Sequence, residues 1–335
     1  MATYYGTYGQ KVQYLASDPS DPQTGQVWYN STSATLKVRA VTTSGTWATG
    51  GNLDSAVQSI GSAGTQTAQL IFGGGNPPPI DNFTATKSYN GTSWTTVPAN
   101  LNTARWQLGG VGTQTAALGF GGDTSQGSTG QTAASESYNG TSWTNTPSLN
   151  TARQGPGPAQ NGTQTAALAF GGGLPPGGTS TSSASESWNG SSWTNTPSLN
   201  TARRFMLGAG TNTAAIGMGG NPPSDAYVAT VELWNGSSWT TGTSMSNIGS
   251  QGSGFGTQTL AIACARFPGR TLTELWNGTS WTAQGALATS AYARGGAGTS
   301  SDGIVAGGNA GGVGTTATEE FTGPGVGTTK TVTVS

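Results

Sequence analysis

Three repeated series of side chains, and a few isolated ones, carry groups capable of chemistry. Glu136, Glu186, Glu232 and Glu274 recur 50, 46 and 42 residues apart, with Arg105, Arg153, Arg203 and Arg294 interleaved. A carboxylate and a guanidinium suit either general acid catalysis with an electrostatic partner or a buried ion pair that sets register. Repetition favours the ion pair, since one active site needs one acid and one cation. Trp47, Trp94, Trp143, Trp193, Trp239 and Trp281 form the second series. They suit sugar stacking or packing between neighbouring elements, and their regular spacing favours packing. The third series is Asn-Gly-Ser/Thr at Asn90, Asn139, Asn189, Asn235 and Asn277. It fits the glycosylation pattern, but Asn-Gly between two strands is already accounted for as a hairpin turn with positive φ at both positions.

The acids outside the series, Asp81, Asp123, Asp225 and Asp302, fall in different copies without a paired motif. Polysaccharide hydrolysis needs two carboxylates about 5–10 Å apart, so a polysaccharide-degrading enzyme is a remote alternative. Histidine is absent and Cys264 is the single cysteine. Serine–histidine triads, zinc hydrolase sites and histidine-ligated copper sites are thereby excluded, as is an internal disulfide. Cys264 lies in an apolar run and reads as an inert core residue. No catalytic residue, metal site or cofactor is expected.

These groups must be positioned by 335 residues, of which 13 are acidic and 12 basic, for a net charge of −1. Only 7% of the chain is charged, against roughly 25% in ordinary soluble domains. Dispersed, balanced charge leaves no electrostatic footprint for nucleic acid or an anionic membrane. No apolar run reaches the length of about 18 residues that a spanning helix needs, so no membrane insertion is expected. Met1–Tyr14 lack the basic start and apolar centre of a secretory signal. Low charge with 56 glycines would also suit disorder, but 11 Trp, 9 Tyr and 8 Phe at regular positions argue for a packed fold.

The regularity is an internal repeat. Segments of the type G-T-Q-T-A-A-L-A-F-G-G begin at Gly64, Gly112, Gly162, Gly210, Gly256 and Gly298, spaced 48, 50, 48, 46 and 42 residues apart. Each is followed by a segment such as S-E-S-Y-N-G-T-S-W, and L-N-T-A-R ends at Arg105, Arg153 and Arg203, with a looser copy ending at Arg294. T-A-A-L-A-F is the pattern of a strand buried on both faces. The Gly-rich stretch before each G-T-Q-T, such as Leu108–Val111, suits a strand crowded against an axis. Four strands per copy, a period near 47 and no helical periodicity predict a β-propeller. The sixth copy lacks its T-S-W strand, and Gly45-Thr46-Trp47 near the N-terminus has the missing pattern. It is expected to pair near Thr318–Phe321 and close the ring. Lys330–Ser335 is the weaker alternative.

The repeat resembles kelch. The double Gly, the acidic residue, the aromatic, the Trp and the connecting Arg stand at Gly121-Gly122, Glu136, Tyr138, Trp143 and Arg153. The next copy has Gly171-Gly172, Glu186, Trp188, Trp193 and Arg203. The pattern covers roughly residues 45–323 and departs at Lys87 in place of Glu, at Ser250 and Val57 in place of Arg, and at Ala265-Arg266 in place of Gly-Gly. The copper-radical oxidase built on a kelch propeller needs His, which this chain lacks. G-T-Q-T-A-A-L-A-F-G-G with Y-N-G-T-S-W is similar to kelch-like arrays in tail-fibre and other virion proteins of marine and cyanobacterial phages. Gly25–Thr32 through Leu36–Arg39 resemble the leader of such proteins.

The resemblance implies an all-β, six-bladed kelch-like β-propeller over residues 43–325, closed by an N-terminal strand. A short attachment or oligomerisation segment (1–42), with a hairpin around Asn30–Ala34, and a tail (326–335) flank it. It further implies a non-enzymatic virion protein, a tail-fibre or tail/head appendage component that is oligomeric in the particle. The N-terminal segment would contact other virion proteins, and the propeller loops a host cell-surface glycan. A purely architectural collar or capsid decoration protein is the alternative. The recognition candidates lie where the copies diverge, after the double Gly: Pro77, Asp81, Asn82, Asp123, Gln126, Pro175, Pro222, Asp225 and Tyr227. Variable loops on a rigid scaffold are the usual place for recognition.

Overall fold

A run that is apolar at consecutive positions and stops at Gly-Gly has no polar face to leave in water. In a computed structural model of the chain, which describes residues 12–22, 25–41, 44–76, 81–125, 129–325 and 327–332, such a run becomes the strand Ala117–Phe120, with all four residues buried. Among the described residues no helix forms. The fold is all-β and propeller-like. The chain divides into two compact units, residues 46–321 and residues 1–45 with 322–335.

The described residues of the larger unit form six four-stranded sheets. Sheet one holds Gly61–Thr65, Ala68–Phe72, Thr86–Tyr89 and Trp94–Val97, and sheet two Gly109–Gly112, Ala117–Phe120, Ser135–Tyr138 and Trp143–Thr146. Sheet three holds Gly157–Pro158, Ala167–Phe170, Ser185–Trp188 and Trp193–Thr196, and sheet four Leu207–Gly210, Ala215–Met218, Val231–Trp234 and Trp239–Gly242. Sheet five holds Ser253–Thr257, Leu260–Cys264, Thr273–Trp276 and Trp281–Ala283. In these five the strands follow in chain order and pair antiparallel. Sheet six holds Gly295–Gly298, Asp302–Ala306 and Thr318–Thr322, and its fourth strand is Thr46–Thr49 from the other end of the chain. Gly50 N donates to Thr318 O at 2.9 Å and continues that pairing.

First strands of consecutive sheets lie side by side, and so do those of sheets six and one. Glycine is what permits the approach. A Cβ on Gly208 would fall 1.9 Å from Pro158 O of sheet three, and one on Gly110 would fall 2.6 Å from Ser62 N of sheet one. Just before each first strand stands one residue in the left-handed region: Ser59, Gln107, Gly155, Phe205, Gln251 and Ala293, with φ between 52° and 56°. Each donates its N–H to the carbonyl of its counterpart in the preceding sheet. Gln107 bonds Ser59, Gly155 bonds Gln107, Phe205 bonds Gly155, Gln251 bonds Phe205, Ala293 bonds Gln251 and Ser59 bonds Ala293, at 2.7–2.9 Å. The six bonds return to their starting residue.

The Asn-Gly turns are built differently from the expected turn. Only the glycines, such as Gly140 at φ 93°, take positive φ. Asn139 instead uses Oδ1 to accept the N–H groups of Thr141 and Ser142, both at 2.9 Å. The asparagine side chain thus replaces the second left-handed residue, and the same contacts recur at Asn90, Asn189, Asn235 and Asn277.

In the smaller unit, Val27–Asn30 and Thr35–Val41 form the expected hairpin, flanked by Gln13–Leu15 and by Gly327–Val332. The C-terminal strand pairs with Thr35–Val41, so the leader and the tail, read as separate segments from sequence, share one sheet. Trp28 is buried there and donates Nε1 to Asp18 at 3.0 Å, beside Asn30 and Lys37 on the same carboxylate. Hydrogen bonds from Lys37, Asn30 and Trp28 hold the Asp18 carboxyl down to about 2.

Two expectations concern the junction of sheets six and one. A chain beginning at Gly50 loses the strand Thr46–Thr49 and leaves Thr318–Thr322 as an open edge; it should melt far below a chain beginning at Ser44, as read by calorimetry. The second is a pH effect. Tyr89 of sheet one donates its hydroxyl to Glu320 of sheet six at 2.6 Å. Burial first, then that carboxylate, push the phenol up to about 12. The raised value means its contribution is complete below pH 10 and is lost as pH rises toward about 12, where the unfolded phenol ionises first. Tyr89→Phe should flatten that part of the stability profile, measured by urea unfolding.

Candidate functional site

The repeated acids and cations meet as the regular spacing suggests. Glu136 lies on the third strand of sheet two, with Oε2 accepting the N–H of Asn102 at 2.7 Å and Oε1 accepting Arg105 Nη2 at 3.0 Å. Arg105 Nη1 also donates to Gly121 O at 3.1 Å. One ion pair therefore ties the connecting loop to the second and third strands. Arg153–Glu186 and Arg203–Glu232 repeat it at 2.5 and 2.7 Å, and all six side chains are essentially inaccessible to water. Burial pulls each guanidinium below its ordinary value and the facing glutamate draws it back up.

Sheets five and six reach the same pair by other routes. Gly220 N donates to Gly249 O, as Gly172 N does to Arg203 O, so Gly249, not Ser250, occupies the arginine position of sheet five. Arg266, standing where the second glycine is expected, fills the gap. Its Cδ lies 2.3 Å from where a Cβ on Gly249 would be, and its guanidinium pairs with Glu274. The two departures from the repeat are thus one exchange. In sheet six the left-handed Ala293 corresponds to Phe205, which puts Ala291 in the arginine position. Arg294, three residues later, reaches Glu319 at 2.8 Å instead. Sheet one reverses the polarity: Lys87 replaces the glutamate and pairs with Asp54 of the connecting loop, while Val57 takes the arginine position. Hydrogen bonds from Lys87 and Thr96 hold the Asp54 carboxyl down to about 2.

The tryptophans pack between sheets. Trp143 donates Nε1 to Thr86 of sheet one, Trp193 to Ser135 of sheet two, Trp239 to Ser185 of sheet three, Trp47 to Thr273 of sheet five and Trp94 to Thr318 of sheet six, at 2.8–3.1 Å. Trp281 finds Val231 at the matching position of sheet four and donates to Thr243 O instead. Trp143, Trp193 and Trp239 are buried and pack at steep angles against Phe72, Phe120 and Phe170 of the preceding sheet, with ring centroids 4.7–5.1 Å apart. Cys264 is fully buried, and burial pushes its thiol up to about 12, leaving it without nucleophilic character at neutral pH.

A cavity of about 100 Å³ is bordered by residues of all six first strands, Ser62, Gly110, Pro158, Gly208, Ser253 and Gly296 among them, and by the left-handed residues before them. Two residues outside the repeated series lie beside it, and one of them, Gln160, borders it. Copy three carries Gln160-Asn161 as an insertion between Ala159 and Gly162. Gln160 donates to Ser62 O of sheet one at 2.9 Å. Asn161 donates its N–H to Gly210 O of sheet four and its Nδ2 to Gly298 O of sheet six, and accepts Gly256 N of sheet five at 3.1 Å. The three partners of Asn161 stand late in their strands, opposite the left-handed residues. The signal in the sequence was the spacing of 50 between the second and third copies.

The variable loops stand at the end that carries the left-handed residues. Each residue before the left-handed one bridges its own post-glycine loop: Gln58 to Gly75, Trp106 to Asp123, Gln154 to Gly173, Arg204 to Asn221, Ser250 to Phe267 and Tyr292 to Asn309. Of the recognition candidates, Pro77 and Gln126 lie outside the described residues. Asp81 and Asn82 form a two-residue strand pairing with Gly75–Asn76. Asp123 is buried, its carboxylate held by Ser125 and Gln131, so it serves its own loop. Pro175 is exposed and Pro222 half-buried. Asp225 is exposed and bonds Arg204 at 2.8 Å, and Tyr227 is exposed. Phe267, Arg270 and Tyr292, which carry no repeat signature, gather beside Tyr227. Copy five lacks the double glycine, so its loop did not register with the others.

Among the described residues no three His, Cys, Asp or Glu side chains come together as a metal cluster. No protein-family model matches this sequence, and neither does any curated protein.

Arg266→Gly leaves Glu274 buried without its cation and is expected to cost about 3–5 kcal/mol. Adding Gly249→Arg rebuilds the arrangement of sheets two to four, since Gly249 is not in the left-handed region, and should recover most of that loss. Urea unfolding of wild type, single and double variants measures both.

Proposed function

We propose that the six sheets form one closed, six-bladed kelch-like propeller sealed by Thr46–Thr49. On this reading the chain is a non-enzymatic virion protein, a tail-fibre or tail/head appendage component. It is oligomeric in the particle, with the smaller unit as its attachment to other virion proteins and the variable-loop end facing a host-surface glycan. The observation that carries the closed reading is the cycle of six N–H···O=C bonds from Ser59 round to Ala293. A chain of sheets with free ends would leave its first donor and last acceptor unpaired. The non-enzymatic reading is supported by what the acids do. Glu136, Glu186, Glu232, Glu274 and Glu319 are each spent on a buried arginine, and a general acid needs a proton it can exchange with substrate. The virion assignment rests on the resemblance of the repeat unit, and the recognition role on the grouping of the divergent loops at one end.

Gold-labelled antibody against the chain should decorate an appendage on purified particles, and the added chain should compete with particle adsorption to host cells. Label confined to the soluble lysate, or release of reducing sugar from host polysaccharide by the purified chain, would reject the assignment. An experimental density map with five or seven sheets around the axis would reject the six-bladed ring.

A further inference from the structure

We infer that the cluster formed by Tyr227, Phe267, Arg270 and Tyr292 is a binding site for a carboxylate-bearing saccharide, which deepens and rests on the reading of the variable-loop end as the glycan-contacting face. The first observation concerns charge. In the larger unit, Lys87, Arg105, Arg153, Arg203, Arg204, Arg266 and Arg294 each pair with an acid. Arg270 is the one cation of that unit that has neither a carboxylate nor a side-chain hydrogen bond among the described residues. In a chain with so few charges, an unpaired guanidinium at the end where the loops diverge stands out from its surroundings.

The second observation is how that guanidinium is held. Its Cζ lies 5.1 Å from the centroid of Phe267 and 5.2 Å from that of Tyr292. The two rings are themselves 5.2 Å apart and steeply inclined at 62°. Contact with two aromatic rings holds the guanidinium in place without using its N–H groups on a carboxylate or carbonyl of the described residues, so its donors are left for a ligand. A guanidinium with free donors suits a planar, two-oxygen anion taken through paired hydrogen bonds. Asp225, the nearest acid of the neighbouring loop in sequence to Tyr227, is engaged by Arg204 and does not neutralise Arg270.

The third observation is the platform. Tyr227 packs edge-on to Phe267 at 5.2 Å and 64° and remains 36% exposed. An exposed tyrosine, joined through Phe267 to an unpaired guanidinium, suits a sugar ring whose C–H face packs on the aromatic while its carboxylate meets the arginine. A single cation suits a carboxylate monoanion better than a phosphate dianion, which would call for several cations. A neutral sugar would leave the guanidinium without a role.

Calorimetric titration of the full-length chain with tetragalacturonate and with sialyllactose tests the site, using the methyl ester of the first and lactose as neutral counterparts. At least one acid should bind, its neutral counterpart at least tenfold more weakly, and affinity should fall as salt rises. Arg270→Gln should abolish the discrimination between acid and neutral forms, and Tyr227→Ala should weaken both, with melting temperatures unchanged because neither side chain is buried. No binding of either acid, equal binding of acid and neutral forms, or undiminished binding by Arg270→Gln would overturn the proposal. If Arg270→Gln fails to fold, Arg270→Lys serves: it keeps charge but loses the paired donors, and unchanged affinity overturns the proposal equally. The titration uses purified chain, so its failure is distinguishable from a failure of the particle-labelling experiment.

Discussion

Six backbone amides bonded head to tail impose the condition to which the rest of the larger unit conforms. Each bond joins one residue before a first strand to its counterpart in the next sheet, and each residue must hold φ near 54° to do so. Five of the six are not glycine, and a left-handed conformation costs a residue with a Cβ about 1–2 kcal/mol. The cost is offset because a backbone donor or acceptor left unpaired in that confined space would cost a comparable amount. The bonds also bring the first strands so close that glycine is required within them. Gly110 against Ser62 N and Gly208 against Pro158 O leave no room for a methyl group. The width of the small cavity bordered by those strands follows from the same contacts.

Away from that cycle, tryptophan joins neighbouring sheets and buried charge ties each sheet together and to its connecting loop. The charge sites show that the requirement is for a guanidinium at a point in space rather than for arginine at a position in the chain. Arg105, Arg153 and Arg203 come from the connecting loop, Arg266 from the end of a second strand and Arg294 from the beginning of a first strand, yet all reach a glutamate on a third strand. Sheet one exchanges the signs and meets the same need with Lys87 and Asp54. A buried ion pair adds little net stability over apolar packing, but an unpaired buried charge is costly. Each pair therefore acts mainly against misregistered alternatives, in which one partner would be stranded.

The two ends of the first strands differ in what they offer a ligand. At one end Asn161 bonds Gly210 O of sheet four, Gly298 O of sheet six and Gly256 N–H of sheet five, while the neighbouring Gln160 reaches Ser62 O of sheet one. At the other end stand the loops that vary from copy to copy, with the aromatic rings and Arg270 of copies four and five gathered among them. The recognition proposed at the loop end would leave the repeated machinery untouched, because none of the ion pairs buried in sheets two to six contributes a side chain to the cluster.

The sequence by itself determined the strand pattern, the number of copies, the interleaving of acid and arginine and the affinity of Trp47 for the last copy. Each of these is a local or periodic property: two-sided apolar runs, glycine pairs and repeated spacing constrain the chain wherever it sits in space. The partners of the irregular copies could not be read this way. Arg266 substituting for an arginine at position 249, Arg294 reaching Glu319 from beyond its expected place, and Val57 opposite Lys87 are each departures when taken singly. They become compensations only when the third dimension brings positions 8 to 33 residues apart into contact. The left-handed cycle was also hidden, because Ser, Gln, Gly, Phe, Gln and Ala share no side-chain chemistry. What they share is a backbone conformation imposed by their neighbours. The same holds for Tyr227, Phe267, Arg270 and Tyr292, which come from three segments and meet only because adjacent sheets present their loops at the same end.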